Sequence, residues 1–199
     1  MDLELSVPIL STAATGSRPS PLEEEVVALF DQLRAPLLRY LLSLGADIAD
    51  AEEIVQEVFL ALFQHLRNGK SRANLPAWTF AVAHNLAIKS RLRAQRQPAA
   101  LPDAYPDIQP DRSAGPEEQL AGLQRQQRLL AVVHALPEQD QCCLSLRAEG
   151  LRYREISSVL GISLGSVAAS LERSLARLAR ADATHSATHS SVHPRSACI

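Results

Sequence analysis

Two sets of residues can do chemistry by virtue of their type and spacing. Near the C-terminus, Ser166, Ser170, Arg173, Arg177 and Arg180 recur three and four residues apart, which puts them on one face of a helix. Small hydroxyls early in such a helix can approach base edges in a DNA groove, and arginines farther along can reach phosphates or guanine. Arg152 and Arg154, a few residues upstream, suit backbone phosphates. In the N-terminal half, Asp50, Glu53 and Glu57 share a helical face, with Gln56 beside them. Acids there can complement the positive end of a helix dipole or meet a partner's basic groups, and spacing alone does not choose between the two. From Val58 to Pro102 there is no Asp or Glu, while Arg67, Lys70, Arg72, Lys89, Arg91, Arg93 and Arg96 all fall there. The small net charge of −2 therefore hides a sharply divided chain.

The elements that must hold these residues are helices. The 199 residues are 46% hydrophobic and only 4% aromatic, with Leu and Ala abundant, which favours helices over sheets. Val26, Val27, Leu29, Phe30 and Leu33 begin an amphipathic helix that Pro36 is expected to kink or restart. Asp50 is the expected N-cap of the next, with Glu53 completing a capping box, and Ile54, Val58, Leu62 and Leu66 line its inner face. Asn68-Gly69 ends it, and Pro76 opens a third helix whose Trp78 reads as core rather than as a stacking platform. A second helical half begins near Glu117.

Within that half, Tyr153–Val167 has the pattern of a helix-turn-helix. Ile156 and Leu160 face inward, Ser157 is small where two helices touch, and Gly161 permits a left-handed turn. Ile162 plugs the turn and Ser163 caps the second helix. Leu164, Val167, Leu171, Leu175 and Leu178 are the expected buried stripe of that helix. An ordinary helical hairpin would share the packing, but not the serine and arginine face.

Five prolines between 98 and 116, mixed with Asp103, Asp107 and Asp111, exclude a helix interior or central strand there. The expected organisation is therefore a disordered tail over 1–20, a helical domain over 21–97 and a flexible acidic linker over 98–116. A helix-turn-helix domain over 117–181 and a disordered Ser/Thr/His tail over 182–199 complete it. The fold class is all-α, two small helical domains joined by that Pro-rich linker.

Other chemistries are not expected. There is no Gly-rich phosphate loop, nucleophile elbow or His-Glu-x-x-His pair, so catalysis is not expected. Three cysteines, two of them adjacent, do not make a disulfide framework, and Cys142 and Cys143 read as small core residues. His65, His84 and His134 are isolated. His185, His189 and His193, with Cys198 beyond, could be soft-metal ligands or part of a disordered tail; the latter is favoured, and no cofactor is assigned. No apolar run approaches the ~20 residues that span a bilayer, and no basic start precedes Val7–Leu10 as in a signal peptide. A cytoplasmic protein without membrane insertion is expected.

The two halves together resemble the extracytoplasmic-function (ECF) group of bacterial RNA polymerase sigma factors. The resemblance lies in Asp50–Leu60, Leu75-Pro-Ala-Trp78 and Ala83–Ile88 in the first half. In the second it lies in Ala135–Glu138, Leu146–Gly150, Tyr153–Ile156 and Leu160–Gly165. It implies that Asp50, Glu53, Gln56 and Glu57 dock on core RNA polymerase. It implies that Lys70, Arg72, Asn74, Asn85, Lys89, Arg91 and Arg93 sit near the melted promoter strand. Arg152, Arg154, Ser163, Ser166, Ser170, Arg173 and Arg177 would face duplex promoter DNA. Core polymerase and promoter DNA are the implied partners, and the family admits an anti-sigma factor as a third. Lys89, Leu92, Ala168 and Ala169 depart from the family's usual residues, so no promoter sequence follows. The alternative is a free-standing helix-turn-helix regulator, which would need neither the acidic docking face nor the single-strand segment.

Overall fold

A computed structural model describes residues 20–94 and 116–189, with the side chains of 20–93 and 122–183. The described residues form seven helices and no strand. The first half comprises α1 (Pro21–Ser43), α2 (Ile48–Arg67) and α3 (Leu75–Ala94), and the second α4 (Pro116–His134), α5 (Glu138–Ala148), α6 (Tyr153–Leu160) and α7 (Leu164–His189). The fold is all-α, as the composition implies. All of the expected linker but Pro116, which starts α4, and most of both expected tails lie outside the described residues.

Helix ends follow local chemistry, with two departures from expectation. Ser20, assigned above to a tail, caps α1 in a reciprocal box: its Oγ accepts the Glu23 N–H (3.3 Å) and its own N–H donates to Glu23 Oε2 (2.7 Å). Helix α2 starts earlier than expected, because Asp47 rather than Asp50 is the N-cap, and Asp47 Oδ1 accepts the Asp50 N–H at 2.7 Å. Asp50 is therefore already helical, and Glu53 completes no box. Helix α1 runs through Pro36 without ending. Pro36 has no N–H to give to the helix, and burial of Leu33 and Leu37 on either side holds the chain helical across it.

In the first half, Leu33, Leu37, Tyr40 and Leu41 of α1 bury against Ile54, Val55, Val58, Phe59 and Leu62 of α2, and Phe80 and Ala83 of α3. Phe30 meets Phe59 edge-on at 4.9 Å, and Tyr40 meets Phe80 at 5.6 Å. Each buried Leu of this kind contributes about 1.5–3 kcal/mol, so α1 is held mainly by its inner stripe. In the second half, Cys143 and Leu146 of α5, Ile156 and Val159 of α6, and Val167 and Leu171 of α7 form the buried cluster. Leu151, between α5 and α6, joins them. Cys142 and Cys143 are buried reduced thiols, and burial pushes Cys142 up to about 11.

The helix-turn-helix forms as its residues require. Gly161 sits at φ +66°, and the Ser157 hydroxyl donates to the Ile162 carbonyl at 2.6 Å, fastening the turn. Ser163 Oγ accepts the Ser166 N–H at 3.1 Å and so caps α7. The expected inner stripe of α7 is corrected by the structure. Val167 and Leu171 are fully buried, but Leu164 and Leu175 are about half exposed, and Ser170 and Ser174 are buried in their place. The stripe is rotated because the side packed on α5 is Val167, Ser170, Leu171 and Ser174, small enough for close helix approach. Helix α7 also continues past residue 181 through His189, so residues 182–189 are helical rather than tail, and Asp182 pairs with Arg125 of α4.

The two halves pack on each other, α3 on α6 and α1 on α5. Among the described residues two ion pairs cross that boundary, Arg39–Glu149 at 2.6 Å and Arg91–Glu138 at 2.5 Å.

Candidate nucleic-acid and docking surfaces

The acidic face of α2 is built by helix periodicity. Ala51, Ile54, Val55 and Val58 turn inward, which leaves Asp50, Glu53, Gln56 and Glu57 exposed together. Asp50, Glu53 and Glu57 form one wall of a polar cleft whose other wall carries Lys89 and Arg93 of α3, with Leu86 and Ser90 between. Among the described residues no ion pair closes this cleft. The neighbouring Glu52 is taken by Arg34 of α1 at 3.0 Å.

Two of the seven candidate residues for single-stranded DNA are tied down by ion pairs. Arg72 Nε binds Glu25 of α1 at 3.2 Å, and Arg91 binds Glu138 of the other half. Asn74 adopts φ +54°, and its carbonyl accepts the Trp78 N–H at 3.1 Å, so it starts α3. It lines a cavity between the halves together with Phe80, Leu151 and Arg152. Lys70, Asn85, Lys89 and Arg93 are exposed, the last three four residues apart on one stripe of α3. Trp78 is half-buried, as expected of a core residue. Its ring lies 4.6 Å from His65, whose Nε2–H donates to the Ser71 carbonyl at 2.9 Å. That contact steadies the loop between α2 and α3.

On the helix-turn-helix, Arg152, Arg154, Ser163 and Arg177 are exposed and Ser166 is half-buried beside Ser163, their hydroxyls 2.9 Å apart. Arg152 enters α6 with its backbone N–H bound to Glu155 Oε2 at 2.6 Å. Ser170 does not lie on the outer face where the spacing put it. It is fully buried, and its Oγ accepts from Gln139 at 3.3 Å and from Arg173 at 3.2 Å. A buried hydroxyl so engaged cannot reach a base edge. Arg173 is held from behind by Asp140 of α5, which the spacing did not single out: Nη2 donates to Oδ1 at 2.8 Å and Nε to Oδ2 at 3.3 Å. Burial would push the Asp140 carboxyl up, but hydrogen bonds from Arg173 and Ser170, and the charges of Arg173 and Arg177, hold it below its ordinary value.

No group of three or more His, Cys, Asp or Glu among the described residues could hold a metal ion. The side chains of His185 and His189, and all of His193 and Cys198, lie outside the described residues. No described helix is long and apolar enough to cross a membrane.

Residues 29–97 match Sigma-70 region 2, which covers the α2 face and the α3 stripe, and residues 126–178 match Sigma-70 region 4, which covers the helix-turn-helix. The ECF RNA polymerase sigma factor SigL of Mycobacterium tuberculosis is 32% identical over 145 residues, 72% of this chain and 81% of SigL. The ECF RNA polymerase sigma factor SigE of Mycolicibacterium smegmatis is 30% identical over 126 residues; the match spans 62% of this chain and about half of SigE, 48%. In fold the chain is similar to the sigma factor RpoE of Bartonella quintana, solved in complex with the anti-sigma factor NepR. That likeness has a TM-score of 0.56 and 20% identity, over 79% of this chain and 94% of RpoE. With both regions matched in order along the chain and SigL aligned across most of its length, the chain belongs to the ECF family of RNA polymerase sigma factors.

Proposed function

We propose that this chain binds core RNA polymerase and directs promoter-specific initiation of transcription. One observation carries the reading: an exposed acidic face on α2 borders the exposed basic stripe of α3, on the same chain as a helix-turn-helix. A free-standing duplex-binding regulator has no use for that arrangement. Asp50, Glu53, Gln56 and Glu57 would meet basic groups of the polymerase. Lys70, Asn85, Lys89 and Arg93 would follow the melted strand, with Arg72, Asn74 and Arg91 at its margin. Arg152, Arg154, Ser163, Ser166, Arg173 and Arg177 would contact duplex DNA, with Ser170 supporting from within.

On this reading the chain is not itself an enzyme, since nucleotide addition belongs to the polymerase, and it works in the cytoplasm beside that polymerase. An anti-sigma factor is the third partner class we propose, by analogy with RpoE. The test is co-purification of the tagged chain with core polymerase, followed by run-off transcription from a promoter library. Stable association and transcripts from a defined subset of promoters are expected. Absence of both would overturn the reading.

A further inference from the structure

We infer that Asp140 is a positioning residue that fixes Arg173 as a contact to the DNA backbone rather than a reader of bases. The inference rests on the sigma-factor reading above and names how one residue of its duplex-binding face works. A guanidinium has five N–H donors. Three are committed inside the protein: Nε–H to Asp140 Oδ2, one Nη2–H to Asp140 Oδ1 and the other to Ser170 Oγ. Only the two Nη1 hydrogens remain.

Bidentate recognition of guanine requires neighbouring nitrogens to meet O6 and N7 together. Both such edges of arginine, Nε with Nη2 and Nη1 with Nη2, include Nη2, and Nη2 has no hydrogen left. A single remaining nitrogen suits one phosphate oxygen. The Arg173 side chain is 55% exposed, so its unused end can reach a ligand, whereas the carboxylate behind it is only 2% exposed. A buried carboxylate needs its cation, so Asp140 will not readily release Arg173 to a base. Gln139 holds Ser170 Oγ in place from α5, which leaves the guanidinium fixed from two sides. A pre-oriented, singly donating arginine fixes the register of α7 on the duplex without selecting sequence.

The test uses the full chain bound to core polymerase to select duplexes from a randomised DNA pool, with binding of the selected duplexes then titrated against salt. For Arg173→Ala the same motif should emerge as for wild type, with weaker binding to every duplex and a salt slope smaller by about one. Because that variant leaves a buried carboxylate unpaired, Asp140→Asn/Arg173→Ala is measured beside it and should behave alike. Asp140→Asn alone releases part of the fork and should change the motif at one base pair, a change that disappears in the double variant. Loss of preference at one base pair by about fivefold or more in either arginine-lacking variant would overturn the assignment. Asp140→Asn that lowers the melting temperature while leaving motif and salt slope at wild type would overturn it too, leaving a structural tie only. Failure of the wild-type holoenzyme to enrich any motif would instead overturn the sigma-factor reading, and this one with it.

Discussion

Arg39 of α1 grips Glu149, 110 residues away, with two hydrogen bonds, Nε to Oε1 at 3.0 Å and Nη2 to Oε2 at 2.6 Å. The two side chains are unequal: Arg39 is 61% exposed and Glu149 only 10%. Hydrogen bonding to Glu149 raises the Arg39 pKa further, so the guanidinium stays charged at any physiological pH. The contact sits where the turn after α5 meets the first half, next to the buried Leu151.

Reversing one charge of this pair should loosen the halves, and reversing both should restore them. Arg39→Glu places two carboxylates together, a change of about 1 kcal/mol or somewhat more given that an exposed pair is worth roughly 0.2–1 kcal/mol. Small-angle X-ray scattering should show a larger radius of gyration for Arg39→Glu and for Glu149→Arg. The combined variant should return to the wild-type value. Identical radii in all four proteins would show that the pair does not hold the halves together.

Glu53→Lys with Glu57→Lys should weaken association with core polymerase at least tenfold while helix content is preserved. Both side chains are exposed, neither forms an ion pair among the described residues, and surface changes of this kind typically shift stability by less than about 0.5 kcal/mol. They also stand across a cleft from Lys89 and Arg93, so the reversal adds repulsion there. Circular dichroism and a fluorescence titration of core polymerase measure the two effects separately. Unchanged affinity would remove the α2 face from the docking site.

Which features were legible in the sequence follows from the range of the interaction. The turn at Gly161, the cap at Ser163 and the inward Ile156, Val167 and Leu171 depend on neighbours within a few residues, and all are found where the pattern puts them. Ser20-x-x-Glu23 was equally readable as a capping signature, but the Ser/Pro-rich surroundings concealed it. The start of α2 was misplaced because Asp47 and Asp50 are both good caps, and the backbone chose the earlier one. The rotation of the α7 stripe could not be read from its own residues. It depends on Asp140 and Gln139 of α5, which draw Ser170 and Arg173 inward, and on the close approach that small serines permit. The Arg39–Glu149 and Arg91–Glu138 pairs were beyond sequence reading for the same reason, being tertiary contacts between distant segments.

Gly161→Ala should destabilise the helix-turn-helix by about 1–2 kcal/mol. A methyl group at this position meets no atom within 4 Å, so the cost comes from the backbone at φ +66° and not from crowding. Thermal unfolding should therefore shift down by a few degrees, with DNA binding recovered at lower temperature. Gly122→Ala, in the body of α4 and equally uncrowded, is the control and should be neutral or slightly stabilising. Equal melting temperatures for the two variants would contradict the left-handed turn.

Mild acid should destabilise the packing around His84. Its Nδ1 lies 2.8 Å from the hydroxyl of Tyr40, whose phenol burial pushes up and keeps neutral, so the two share a hydrogen bond. Burial is the main influence lowering the His84 pKa; Glu138 opposes it and Arg91 adds to it. The folded state therefore resists protonation that the unfolded chain accepts near pH 6.5. Below that value the unfolded state binds more protons, so this contribution to stability is fully present above about pH 6.5 and declines as pH falls toward the depressed folded value. His84→Gln keeps an acceptor for Tyr40 but does not titrate. Urea unfolding at pH 7.5 and pH 5.5 should show a larger loss for wild type than for His84→Gln, carboxylate contributions being common to both. Parallel losses in the two proteins would show that His84 does not control this part of the pH response.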